Sequence, residues 1–380
     1  MLRRHLLRLL ASVPLLRSGL GSTGLAAMPD EAPNAADVYR RAIAWSEGFP
    51  RSEWSAVREA PEAATLPAQV DRWLEAARPA LATLREGARI DACHWGDEAM
   101  TAENLTHDRF NGAHRQLVGL ASLSAIRHAE AGRFEDALDD AFAALAFARR
   151  IGEDGPMIAR LFQCTEEIVT RRALGRILPL LDRPALDSLA RRLDAQPPAA
   201  PASAMIGPER RFILNCLRGH LSTMGATLSD EDWERLQLVE EAPALKRLTG
   251  GERARLSAHL DASAPAFEEL GRRLDLPRGE RSAALDDFIA TRRETDPVAA
   301  MLVEPVRAMP NAVERADLLG RMLRAGLVLV RDGEAAFKTL RDPFGDGPFG
   351  LESRGEGWTI RSAFPDVKAP STEFRVGEPD

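Results

Sequence analysis

A mainly α-helical fold follows from three features of this 380-residue sequence. Apolar residues recur at three- and four-residue spacing through long stretches, and the breaks between those stretches fall on Pro and Gly. Alternation of the strand type is confined to the tail after Arg341. The expected architecture is a multi-helix array of antiparallel helical hairpins, either α-solenoid-like or an irregular bundle, with a small C-terminal β-hairpin. A 45% hydrophobic content is enough for a sizeable core and one to three domains.

The elements can be taken in order. Asn34 reads as an N-cap, with Asp37 three residues on and Val38, Tyr39, Ala42, Ile43 and Trp45 along one side. A Pro-rich connector, Phe49 to Pro67, precedes a helix from Ala68 to Glu86 that stops at Gly87. Residues 88–106 read as irregular. Long helical patterns follow at Asp108–Ala131, Phe134–Ile151 and Met157–Leu181, then a short one at Pro184–Ala195. Gln196-Pro197-Pro198-Ala199-Ala200-Pro201 is the clearest break. It separates an N-terminal helical region (28–195) from a C-terminal one (202–341). In the latter, helices are expected at Ser203–Thr223, Ser229–Leu238, Glu252–Leu274, Glu280–Thr291 and Val298–Val330. Ser229 and Asp232 resemble a capping box, and Pro305 and Pro310 should kink or split the last segment. In the tail (342–380), Trp358, Ile360 and Ala363 alternate with polar residues, and Arg354-Gly355-Glu356-Gly357 supplies a turn. Two strands are expected, near 348–354 and 357–363.

Charge and cysteine usage exclude several function classes. The formal net charge is −7, and residues 1–27 hold four arginines and no acid, so the body is more acidic still. Such a body repels phosphate backbones and anionic bilayers, which argues against a nucleic-acid partner. Cys93, Cys164 and Cys216 are far apart and lack C-x-x-C spacing; they read as small buried hydrophobes, not as a zinc site or disulfide framework. The basic start (Arg3, Arg4, Arg8), the apolar stretch Leu9 to Leu16 and the small-x-small Gly24-Leu25-Ala26 resemble a secretory signal. Two other readings stay open: Met28 as the true start, or residues 1–20 as an amphipathic surface helix. The protein is thus either exported to the envelope or periplasm, or cytoplasmic. No stretch is long and apolar enough for a transmembrane helix.

Residues 118–151 carry the most specific pattern. Ala125, Gly132, Phe134, Ala137 and Ala144 fall at spacings that resemble one tetratricopeptide hairpin of about 34 residues, with His128 at the usual Tyr position. Small residues would let two helices approach closely, Gly132 would make the turn, and Phe134 would pack into the neighbouring helix. One unit is not a solenoid, because a stack needs about three repeats to bury its faces. An ordinary αα-hairpin fits the same residues.

Chemistry-bearing residues are sparse. Cys93-His94-Trp95, with His107 and His114 downstream, would be the place for a hydrolase-type site, but adjacent Cys and His rarely orient as nucleophile and base. The blander reading is a loop in which Cys93 and Trp95 plug the core. Glu135, Asp136, Asp139 and Asp140, the pair Glu166-Glu167, and Asp230-Glu231-Asp232 are expected on solvated polar faces or at helix starts. No phosphate loop, G-x-S-x-G or H-E-x-x-H motif occurs. No catalytic, cofactor-binding or metal-ligating residue is therefore assigned.

The tail is more particular. Asp342-Pro343-Phe344-Gly345, Pro348-Phe349, Gly357-Trp358-Thr359-Ile360-Arg361-Ser362 and Asp366 resemble the C-terminal β-region of type II secretion pseudopilins, and also tails of uncharacterised bacterial helical proteins. The pseudopilin resemblance implies calcium held through Asp342 and Asp366. Val367-Lys368-Ala369-Pro370 replaces the usual glycine-rich continuation, which leaves too few oxygen ligands, and the pseudopilin membrane helix is missing. The favoured expectation for the whole chain is a non-enzymatic helical scaffold that binds a protein or peptide in a concave groove. The alternative is a hydrolase-type enzyme with a site near His94 and His114.

Overall fold

The computed structural model describes residues 33–96, 112–355, 357–365 and 372–378. The leader-like start, His107 and Asp366 lie outside the described residues. The protein is mainly helical, with a small antiparallel sheet at its C-terminal end.

Helix α1 (Ala35–Glu47) starts where Asn34 accepts a hydrogen bond from the Ala36 amide at 3.2 Å. The connector that follows contains a short helix, α2 (Trp54–Glu59), between two 3-10 turns. Helix α3 (Val70–Gly87) ends at the expected glycine, and the Tyr39 ring packs where a side chain at Gly87 would sit. Helices α4 (Ala113–Glu130) and α5 (Phe134–Gly152) form the expected hairpin. Gly132 makes the turn at φ +72°, a conformation that favours glycine. Ala125, Ala129, Ala137 and Ala141 are all buried between the helices, so their axes can lie close. Helix α6 (Met157–Ile177) then packs on both members of the pair. Asp182 caps α7 (Arg183–Asp194) by accepting from the Ala185 amide at 2.9 Å.

Beyond the proline-rich break come α8 (Ile206–Leu221), α9 (Asp230–Arg235), α10 (Ala242–Thr249), α11 (Arg253–Ala262), α12 (Ala264–Leu274) and α13 (Arg278–Arg292). The Ser229–Asp232 capping box is complete in both directions. The segment expected as one helix over 252–274 is two, because Pro265 in the first turn of α12 cannot continue the ladder from α11. Helix α10 was not expected. It starts beside Pro243 and stops at Gly250, φ +66°, the usual pairing of an N-terminal Pro with a C-terminal Gly. The segment 298–330 breaks into α14 (Pro297–Met301), α15 (Val303–Val306) and α16 (Met309–Asp332), with Pro310 in the first turn of α16. A last short helix, α17 (Glu334–Phe337), leads to the tail.

The apolar side chains form three cores. One lies among α1, α3, α4 and α5, and a second gathers α8 to α15. The third joins α4 to α7 with α16 and the sheet, so α16 returns from the C-terminal half to pack on α6. The tail forms β1 (Gly350–Arg354), β2 (Gly357–Ser362) and β3 (Thr372–Val376), in the order β1-β2-β3. The first two strands and the turn at Gly355 match expectation. Strand β3 was missed, and it is the one that docks the sheet. Its Phe374 and Val376, with Ile360 of β2, are fully buried, whereas Trp358, the larger ring, is only half-buried.

Two helix glycines make this docking possible. A Cβ at Gly175 of α6 would stand 2.6 Å from the Arg375 carbonyl oxygen and the Phe374 ring, and one at Gly326 of α16 would stand 2.8 Å from Val376. The Gly377 amide donates to the Gly175 carbonyl at 3.0 Å. Asp342 pins the other end of the tail. Its carboxylate accepts from the Phe344 amide (3.0 Å), the Ser362 hydroxyl (2.7 Å) and the Ala363 amide (2.6 Å).

Gly175→Val should therefore lift β3 and cost about 1–3 kcal/mol by overpacking. Gly219→Ala, in α8, where an added Cβ meets nothing within 4 Å, should leave stability equal or slightly raised. Thermal melts check the pair, and hydrogen exchange of Gly175→Val should quicken first in residues 350–376.

Candidate binding cleft

His94 and His114 do not meet at a shared surface. His94 is exposed on its loop, and its backbone amide and carbonyl are both clamped by the Asn34 side chain, at 2.8 and 2.9 Å. Cys93 and Trp95 on either side are buried. Trp95 stacks on Tyr39 and donates from Nε1 to the Arg150 carbonyl at 2.8 Å, so this loop plugs the N-terminal core. His114 is fully buried, with its Nδ1 against Glu166 and its ring 4.6 Å from Phe162. Cys164 is buried in α6, where burial pushes its thiol up to about 11, while Cys216 is only partly buried. Among the described residues, no group of three or more His, Cys, Asp or Glu is arranged to hold a metal ion. Also among them, no helix is long and apolar enough to cross a membrane.

Asp140, Glu166 and Glu167 overturn the expectation of solvated faces, whereas Glu135, Asp136 and Asp139 keep access to water. Asp140 is 1% exposed; it accepts from Ser124 Oγ at 2.6 Å and pairs with Arg85 Nε at 2.6 Å. Glu166 and Glu167 are 2% and 4% exposed. The reason is geometric: α5 and α6 are covered on more than one side, so these acids face other helices, where arginines pair with Asp140 and Glu167 and His114 lies against Glu166. Glu167 is the best-connected acid. Its carboxylate pairs with Arg171 one turn on, with Arg149 Nε at 3.3 Å, and accepts from Gln163 Nε2 at 2.7 Å. Burial pushes the Glu167 carboxyl up, but Arg171, Arg149 and the Gln163 hydrogen bond together pull it below its ordinary value.

This network underlies an open cleft of about 730 Å³. Asp139, Phe142, Ala143, Ala146, Arg149 and Arg150 recur at three- and four-residue spacing, so one stripe of α5 forms a wall. Arg85 and Arg89, one turn apart at the end of α3, form a second side. Arg160 and Gln163 of α6 and Arg192 of α7 contribute further, and the linker from Gln196 to Ala200 closes the rim. Gly152 is required at the base, because the Gln163 side chain occupies the space a Cβ would need. The linker is tied in place by the same arginines. Arg149 donates to the Pro197 carbonyl at 3.1 Å and to Gln196 Oε1 at 3.3 Å, and Arg160 donates to the Ala200 carbonyl at 2.7 Å.

Sequence reasoning found the hairpin and the proline-rich break that bound this cleft, but not the arginines. Only the fold brings Arg149, Arg150 and Arg160 together with Arg85, Arg89 and Arg192. No family model matches the chain, and no curated protein or solved structure matches it.

The difference between adjacent acids is testable. Asp140→Ala leaves the buried Ser124 hydroxyl and the partly buried Arg85 guanidinium without their acceptor and should cost about 1–3 kcal/mol. Asp139→Ala breaks only its half-exposed pair with Arg192 and should cost less than about 1 kcal/mol. Urea denaturation of both variants measures this directly.

Proposed function

We propose that the chain is a non-enzymatic helical scaffold that holds a protein or peptide partner in the arginine-walled cleft. The observation that carries this reading is the cleft itself. At about 730 Å³ it lies within the roughly 300–1,000 Å³ range of ligand sites. Its lining combines long polar arms with the apolar Phe142, Ala143, Ala146 and Met205, which suits an extended chain of mixed side chains. The resemblance of α4 and α5 to a tetratricopeptide unit agrees with such a role, since those units present a concave face to a partner.

The hydrolase alternative draws less support. A hydrolytic site needs a nucleophile, a base and an orienting group that converge on solvent-accessible space. His114 is sealed against Glu166, His94 stands on a surface loop, and neither lines the cleft.

Ala146 is half-buried on the cleft wall, so Ala146→Trp should fill the cleft without disturbing a core. Selection from a displayed library of random decapeptides should enrich a related set of sequences on the wild-type protein. The same selection on Ala146→Trp should enrich none, with its melting temperature unchanged. Equal enrichment on both proteins would place the binding surface elsewhere, and none on either would remove the reading.

A further inference from the structure

We infer that the cleft recognises a carboxylate, carried by a peptide, at the corner formed by Arg149 and Arg160. This rests on the cleft being a binding site and adds the chemistry of its occupant. Arg149 and Arg171 both pair with Glu167, so two guanidinia share one carboxylate. Arg160 is 8% exposed, and among the described residues its hydrogen bonds go to neutral acceptors, Gln163 Oε1 at 2.5 Å and the Ala200 carbonyl at 2.7 Å. The corner therefore holds three cations around one acid. Burial already pushes the Arg149 guanidinium down, and Arg171 and Arg160 push it in the same direction.

A buried cation without a matching anion is costly. Arg171 lies behind Glu167, with its Nη1 donating to the Ala316 carbonyl. Arg149 and Arg160 line the cleft, so an anion held there can reach them. The guanidinium fork matches a planar carboxylate in two parallel hydrogen bonds. A polyanion fits less well: the whole chain carries −7, and Asp139, Glu153 and Asp154 line the same cleft. One carboxylate restores the local balance, and a dianionic phosphate meets those three acids with twice the charge.

The test uses synthetic decapeptide arrays in four arms. The first arm carries one Asp or Glu and an amidated end, and the second a free C-terminal carboxylate and no acid. The third is neutral and amidated, and the fourth carries one phosphoserine and an amidated end. Wild-type protein should bind one of the first two arms at least about tenfold better than the third, and which arm wins tells a side chain from a chain terminus. Ala146→Glu should lose that preference by about tenfold, whereas the neutral Ala146→Gln should keep it, and raising the salt should weaken binding. Equal binding of the neutral arm, or preference for phosphoserine, would overturn the carboxylate assignment while leaving the cleft as a binding site. Binding in no arm above the Ala146→Trp background would overturn both.

Discussion

The carboxylate of Glu167, buried near the middle of α6, is the constraint around which the rest is arranged. Helix α6 is packed by the hairpin of α4 and α5, by α16 and by strand β3, so only a stripe through Thr165 and Arg172 is turned towards water and Glu167 lies on the covered side. A charge in that position is tolerated only when paired and hydrogen-bonded. Arg149 reaches it from α5, Arg171 from one turn further along, and Gln163 from one turn before. Arg171 also donates to the Ala316 carbonyl of α16, which ties the returning helix to the same network. The N-terminal hairpin, the central helix and the C-terminal half thus meet around one acid.

The same arrangement creates the cleft. Because Arg149 is drawn towards Glu167, the rest of its guanidinium faces the linker, and Arg160 meets that linker from α6. The proline-rich segment from Gln196 to Ala200 becomes a fixed rim instead of a loose connection. At the far end of α6, Gly175 gives the sheet its seat. One helix therefore sets the cleft and the docking of the tail through residues several turns apart.

Much of this fold was legible in the sequence, and the exceptions have physical causes. The hairpin was readable because Gly132 and the spaced alanines state both the turn and the close approach. The break at 196–201 was readable because prolines exclude a helix. Helix α10 and strand β3 were missed although both had local signals: Pro243 before Gly250-Gly251, and Thr372-Glu373-Phe374-Arg375-Val376 in alternation. The buried acids had no such signal. Asp139 and Asp140 look alike in the chain, yet one faces the cleft and the other is sealed against Ser124 and Arg85. Burial of a charge depends on what covers it, and for α5 and α6 the cover comes from residues distant in sequence. The arginine cleft was illegible for the same reason.

The central claim, that Glu167 couples the hairpin to the central helix, is tested most directly by a double-mutant cycle of Glu167→Gln and Arg149→Gln in urea denaturation. If one buried network joins them, the two changes are strongly non-additive, with a coupling energy in the upper part of the roughly 0.5–3 kcal/mol range for contacting pairs. The double variant should then be little less stable than the worse single variant. Additivity within about 0.5 kcal/mol would contradict the account, because it would mean that the hairpin and α6 are held by apolar packing alone.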